Sequence, residues 1–170
     1  MAKITLKGES FHTSGDLPKK GAKAPDFHLL NQDLAEKSLK DFAGKRKLLY
    51  ALISVDTSVC SASSKKLNEF AKKHPELVIL VISADLPFAL KRFCAAEGTK
   101  NIVTLSTMRD KNFGERYGLT LKDGPLAGLL ARAILVLDEK DNVQYVELVP
   151  EIAQEPDYEP AFHALLKIYE

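Results

Sequence analysis

Cys60 is the residue of this sequence best placed to do chemistry. It follows a continuous apolar run, Leu48-Leu49-Tyr50-Ala51-Leu52-Ile53, long enough for a strand buried on both faces. Beyond it Val59, Ala62, Leu67, Phe70 and Ala71 recur at helical spacing, with Lys65, Lys66, Lys72 and Lys73 between them, until Pro75 follows the end. Cys60 therefore falls in the first turn of a helix. Thr57, three residues earlier, is the natural N-cap, and unpaired backbone N–H groups converge on that end. Those donors and the helix dipole favour a thiolate over a thiol, and a thiolate is a nucleophile. The plain alternative is a cysteine buried in the core for its bulk.

The other candidates are weaker on residue type alone. Cys94 sits beside Phe93 near the C-terminal end of a second amphipathic stretch, where a core role is the default. Arg132 stands at the head of the strand-like Ala133-Ile134-Leu135-Val136-Leu137, a common place for a solvated terminus. His12, His28, His74 and His163 form no i, i+4 pair and the cysteines lack metal spacing, so no metal site is indicated. The glycines of Asp123-Gly124-Pro125-Leu126-Ala127-Gly128 are not followed by Lys-Ser/Thr, which rejects a phosphate loop. A cysteine hydrolase needs a histidine beside its nucleophile, whereas His74 lies at the far end of the Cys60 helix. Lys45-Arg46-Lys47 reads as a solvated strand entrance.

The elements that must position these residues follow in order. Residues 3–14 alternate weakly around Gly8 and suit a short hairpin covering one end of the core. A strand at Asp26–Leu30, a helical turn near Ser38–Phe42 and the central strand precede the Cys60 helix. Leu77–Ile82 is a second apolar strand, so strand, helix and strand make a βαβ unit with parallel neighbours. Ligands in such sheets bind beyond the carboxyl ends of the strands, which is where Cys60 stands. A second helix runs from near Asp85, with Pro87 in its first turn, to Gly98. Then come a strand at 101–105, a helix at about 110–117, the glycine-rich loop, a hairpin of Ala131–Leu137 with Val143–Val149, and a helix from about Tyr158.

Composition bounds the rest. A chain of 170 residues fits a single domain spanning 1–170. Its 24 basic and 23 acidic side chains leave a net charge of +1, which argues against a polyanion partner held by bulk charge. Two cysteines are too few for a disulfide-dense secreted scaffold, and the N-terminus lacks the apolar core of a signal peptide, so a cytoplasmic location is expected. No apolar run approaches the ~20 residues that span a bilayer.

Four blocks resemble a known family: Val55-Asp56-Thr57-Ser58-Val59-Cys60-Ser61-Ala62-Ser63; Ile82-Ser83-Ala84-Asp85-Leu86-Pro87-Phe88-Ala89 with Arg92-Phe93-Cys94; Thr104-Leu105-Ser106-Thr107; and Asp123-Gly124-Pro125-Leu126 with Ala131-Arg132-Ala133. In order and spacing they look like the thiol peroxidase branch of the peroxiredoxins, atypical two-cysteine enzymes, from about Gly8 to the C-terminal helix. The resemblance implies an α/β thioredoxin-like fold, a central mixed sheet flanked by helices, with an N-terminal hairpin extension and an insertion at about 99–128. It implies that Cys60 attacks the peroxide and that Cys94, 34 residues later, resolves the product as an intramolecular disulfide. Thr57 and Arg132 match the family's catalytic threonine and arginine, and Leu86, Pro87 and Phe88 fall near its substrate pocket. The implied substrates are hydrogen peroxide and organic hydroperoxides, the reductant thioredoxin and the assembly a homodimer, with no metal, flavin or haem cofactor.

One position departs from the pattern Pro-x-x-x-Thr-x-x-Cys: Ile53 stands where the proline would be. Proline lacks an N–H and fixes φ, so Ile53 bears on the pocket's shape and on the rate. Two alternatives follow. A peroxide-sensing or binding protein with weakened turnover is one; a thiol–disulfide oxidoreductase is the other, disfavoured because Ser61-Ala62-Ser63 leaves no Cys-x-x-Cys.

Overall fold

The structure is a computed structural model that describes residues 1–167. Strands β1 (Lys3–Leu6) and β2 (Glu9–His12) form an antiparallel hairpin of their own, turning at Lys7 and Gly8, both at positive φ. Its inward residues Ile4 and Phe11 are buried in the main core, so the hairpin covers one end of it. Seven further strands make one sheet: β3 (Leu29–Asn31), β4 (Glu36–Lys37), β5 (Lys47–Ala51), β6 (Val78–Ser83), β7 (Val103–Ser106), β8 (Ala133–Leu137) and β9 (Val143–Leu148). Their order is β4-β3-β7-β6-β5-β8-β9. Strands β5, β6 and β7 run parallel, and β8, β9 and β3 pair antiparallel to their neighbours, which makes the sheet mixed.

Strand period divides the core into two layers. On β5, Leu49 and Ala51 face one side of the sheet with Phe27, Phe113 and Tyr117, while Leu48 and Tyr50 face the other with Cys60 and Leu67. Helix α1 (Ser58–Lys73) covers that second face, burying Cys60, Ser63, Ser64, Leu67, Asn68 and Ala71, a stripe at helical spacing. Helix α2 (Pro87–Glu97) has proline in its first turn and ends at Gly98, whose left-handed φ of 67° suits a residue without a Cβ. Helix α3 (Phe113–Arg116) is one turn, and α4 (Tyr158–Leu165) packs beside α1 through the stacked rings of Phe70 and Phe162, 3.8 Å apart.

Several elements differ from the sequence expectation. The strand expected at 101–105 within the 99–128 insertion is β7, an inner member of the sheet displaced by one or two residues, with Thr104, Leu105 and Ser106 buried. Strand β3 begins at Leu29, not Asp26, because the Asp26 carboxylate is occupied accepting the N–H groups of Phe27 and Leu39. The helix expected over 110–117 shrinks to α3, since Asp110 accepts from His28 N–H and pairs with Arg116 at 2.6 Å. Nor is Lys45-Arg46-Lys47 solvated at its inner end. Lys47 is wholly buried, with Nζ 2.6 Å from Asp141, and Arg46 donates to the carbonyls of Ala164 and Leu165, closing the C-terminal end of α4.

Candidate active site

The sheet order decides what surrounds Cys60. Strand β5 delivers the chain to α1, β6 lies on one side of it and β8 on the other. Between β5 and α1 the backbone turns through residues 54–57, and Asp85, at the carboxyl end of β6, pins that turn. Its carboxylate accepts from Ser54 Oγ at 2.8 Å, Val55 N at 2.9 Å and Ser83 Oγ at 2.7 Å. The first turn of α1 is held over the sheet edge as a result.

Thr57 occupies the N-cap position with extended backbone, and its carbonyl accepts the first helical bond from Ser61 N at 3.1 Å. Its side chain does not cap. The hydroxyl donates back to Ser54 O at 3.0 Å, which commits the proton and leaves the oxygen able to accept from a ligand. The early N–H groups of α1 are thereby left without a side-chain cap, and they form the positive end of a 16-residue helix.

Cys60 is fully buried, and Arg132, from the residue before β8, reaches it across the antiparallel pairing of β5 with β8. Arg132 Nη1 lies 3.1 Å from Cys60 Sγ and 2.6 Å from the Tyr50 hydroxyl, and Nε donates to Ile152 O at 3.0 Å. Burial works against the guanidinium cation, but the adjoining Tyr50 and Cys60 outweigh it, so Arg132 is held in its charged form. A unit charge about 4 Å from a developing anion contributes on the order of 4 kcal/mol at an effective dielectric of 20, far above an exposed ion pair. Burial pushes the Tyr50 phenol up, against the pull of Arg132, so Tyr50 stays neutral and does not compete as an anion for the arginine.

A cavity of about 220 Å³ opens beside this cluster. Thr57, Ser58, Val59 and Arg132 supply one wall, and Ile53 with Leu6, Leu126 and Ile152 the apolar remainder. The walls come from distant segments that lock together. Asp123 takes His12 N at 2.8 Å and faces His12 Nδ1 at 2.7 Å, fastening the glycine-rich loop to β2. Gly124, at φ 74°, lies so close to Phe11 that a Cβ there would collide with the ring. The loop can then set Leu126 over the cavity.

The structure thus brings Cys60, Thr57, Arg132 and Ile53 together. It does not bring Leu86, Pro87 and Phe88 to this cavity. They lie at the start of α2, beyond β6, whereas Arg132 draws the cavity to the β8 side of β5. Pro87 is buried, Phe88 is exposed, and Leu86 lines a separate cavity with Met108 and Leu130. Cys94 lies in the last turn of α2, half-buried, its sulfur 3.5 Å from Thr104 Oγ1, and both cysteines are free. Tyr50, Leu6 and Ile152 are site residues that sequence reasoning missed. Tyr50 read as one more apolar strand residue, and the other two carry no local signal. Among the described residues no group of acidic, histidine or cysteine side chains could hold a metal ion, and no helix is long and apolar enough to cross a membrane.

A buried cysteine at a helix N-terminus beside an arginine, on a mixed sheet of this order, defines a thioredoxin-like thiol enzyme. By its match to the Redoxin family model over residues 19–162, the chain belongs to that family. Two curated relatives are thiol peroxidases. One, from Leptospira interrogans, is 52% identical over 166 residues, covering 96% of this chain and 97% of the relative. The other, from Mycobacterium bovis, is 53% identical over 165 residues, covering 97% and 99%. Among solved structures, a peroxiredoxin-like protein from Aquifex aeolicus superposes with a TM-score of 0.91 at 34% identity, covering 99% of this chain and 98% of that one. A thiol peroxidase from Chromobacterium violaceum gives 0.89 at 30% identity, covering 97% and 95%.

Proposed function

We propose that this protein is a thiol peroxidase in which Cys60 is the peroxide-reducing residue and Cys94 its resolving partner. The observation that carries the reading is the contact of 3.1 Å between Arg132 Nη1 and Cys60 Sγ at the start of α1, next to a small cavity. Arginine and helix N–H groups stabilise negative charge on the sulfur. A hydroperoxide in the cavity would give its proton's hydrogen bond to Thr57 Oγ1 and accept from Arg132. The thiolate then attacks the terminal oxygen: an S–O bond forms, the O–O bond breaks, and the departing alkoxide or hydroxide takes a proton to leave as alcohol or water. Cys94 condenses with the Cys60 sulfenic acid, expelling water and forming a disulfide, and an external dithiol reduces it by exchange.

The apolar walls formed by Leu6, Leu126 and Ile152 support organic hydroperoxides as substrates beside hydrogen peroxide. Thioredoxin, in the cytoplasm, is the reductant this reading takes. A homodimer is supported by the exposure of Leu86, Phe88 and Met108, apolar side chains otherwise left in water. A peroxide sensor with weakened turnover is the poorer reading, because the relatives are thiol peroxidases and Ile53 is accommodated in the cavity wall.

The test is intact mass after one equivalent of cumene hydroperoxide. Wild type should lose two hydrogens, Cys94→Ser should gain one oxygen, and Cys60→Ser should not change. A wild type that keeps its reduced mass overturns the reading.

A further inference from the structure

The phenol of Tyr50 has no part in the chemistry just described, yet it touches the group that does. Tyr50 lies mid-way along β5, the central strand, and is completely buried. Its hydroxyl is 2.6 Å from Arg132 Nη1, the same nitrogen that lies 3.1 Å from Cys60 Sγ. That nitrogen carries two hydrogens. One goes to the phenol and the other to the sulfur, while Nε is fixed on Ile152 O. Three points fix the plane of a guanidinium, and Nη2, which bonds no protein atom among the described residues, is left for a ligand in the cavity that Arg132 lines.

The phenol is itself held. The Ser63 hydroxyl, which donates to Val59 O at 2.8 Å, lies beside it. A guanidinium only donates, so the Tyr50 oxygen accepts from Arg132. Val59 and Ser63 flank Cys60 on α1. The phenol that accepts from Arg132 is therefore neighboured by a side chain of the helix that carries the nucleophile. A buried tyrosine serving packing alone needs only a partner for its hydroxyl; here that partner is the cation on the sulfur.

Building on the peroxidase reading above, we propose that Tyr50 is a positioning residue: with Ser63 beside it, its phenol, accepting from Arg132, sets the orientation in which Arg132 meets Cys60 and the peroxide. Tyr50 touches neither sulfur nor substrate and acts through the arginine.

The experiment uses full-length Cys94→Ser, in which Cys60 is the remaining thiol, alone and combined with Tyr50→Phe or Ser63→Ala. Two readouts are taken: the pH midpoint of Cys60 alkylation by iodoacetamide, and the rate of oxygen gain from cumene hydroperoxide. Tyr50→Phe keeps the ring and should raise the midpoint by about one pH unit and slow oxidation about tenfold at neutral pH. Ser63→Ala, which leaves the phenol in place, should move both in the same direction by about threefold. A merely structural tyrosine would lower the melting temperature and leave the midpoint where it is. Midpoints and rates within twofold of the parent overturn the proposal, and if Tyr50→Phe does not fold, Ser63→Ala decides alone. Should the parent gain no oxygen, the peroxidase reading fails, while the alkylation midpoints still decide the role of Tyr50.

Discussion

The two cysteines stand at opposite ends of their helices. Cys60 is in the first turn of α1, where amides converge, fully buried against a cation and a pinned turn. Cys94 is in the last turn of α2, where carbonyls converge: its own carbonyl accepts from the N–H groups of both Gly98 and Thr99. Around Cys60 the side chains of Arg132, Tyr50, Thr57 and Asp85 all have partners, although Ser64 Oγ, one turn further along α1, is buried and unbonded. Around Cys94 a groove lined by Gln32, Lys100 and Thr99 leaves the Gln32 Oε1 and Thr99 Oγ1 atoms buried and unbonded. The nucleophile's end of the site is built to hold a charge still, and the resolving end is satisfied incompletely, as befits the end that must open. A disulfide needs Cα atoms about 4.4–6.8 Å apart, so we expect the end of α2 to give way before the Asp85-pinned start of α1.

The largest effect should separate the two ends by reaction step. Arg132→Met removes the cation from the sulfur and should slow the first oxidation about 10²–10³-fold, the range seen when one preorganised donor to a developing anion is lost. Disulfide closure, followed by mass once sulfenic acid has formed, should change by less than about threefold. The reverse pattern, normal oxidation with slow closure, would place Arg132 in the opening of the helices and remove the contrast between the ends.

A smaller effect tests the looseness of α2 directly. Gly98→Ala introduces a side chain at φ 67° into open space, so its cost is backbone strain of about 1 kcal/mol. Thr99→Val replaces an unpaired buried hydroxyl with a methyl and should stabilise by about 1 kcal/mol. If opening of α2 limits resolution, alanine should speed disulfide closure about fivefold and valine slow it by a similar factor, with peroxide attack unchanged in both. Equal closure rates in the two variants would mean that α1 unwinds instead.

The same contrast explains what the sequence made legible. A cysteine at a helix N-terminus is a local pattern, and Cys60 with Thr57 could be placed from apolar spacing and a cap residue. The hydroxyl of Thr57 nonetheless turns away from the cap to Ser54 O, a choice set by the turn that Asp85 pins. Arg132 meets Cys60 only because β5 and β8 pair with Ala51 opposite Ala133, a register no local pattern encodes; by residue type alone it was a solvated strand end. Tyr50 was hidden inside a run whose apolar character was correct, since burial and catalytic contact coincide there. Leu86, Pro87 and Phe88 do not line the cavity beside Cys60, and the reason is topological. They follow β6, and the sheet puts β6 on the side of β5 away from Arg132. The fold was more legible than the site, because strand and helix periods repeat along the chain, whereas the cavity draws on β1, the glycine-rich loop and the segment after β9.

The smallest effect lies in the contact between the two ends. Glu97, three residues after Cys94, meets Lys65 of α1 at 2.8 Å and lies near Ser61, the neighbour of Cys60. The Lys65 bond, against a smaller opposing push from burial and with help from Ser61, holds the Glu97 carboxyl below its ordinary value of 4.5. A carboxylate lowered in this way contributes to the closed arrangement at every pH above the ordinary carboxylate range, and loses that contribution as pH falls through its lowered value. Glu97→Gln should therefore speed disulfide closure, by about twofold given the exposure of Lys65, and by the same factor at pH 8 and pH 6. As the pH falls through the lowered value of Glu97, wild type should rise to meet the variant, because its own glutamate is then neutral. Closure rates at fixed sulfenic acid, measured by acid quench and intact mass, check this. A variant whose advantage instead grows as the pH falls would show that Lys65 and Ser61 hold α2 without the charge on Glu97, and the clasp between the ends would then be one of shape and not of electrostatics.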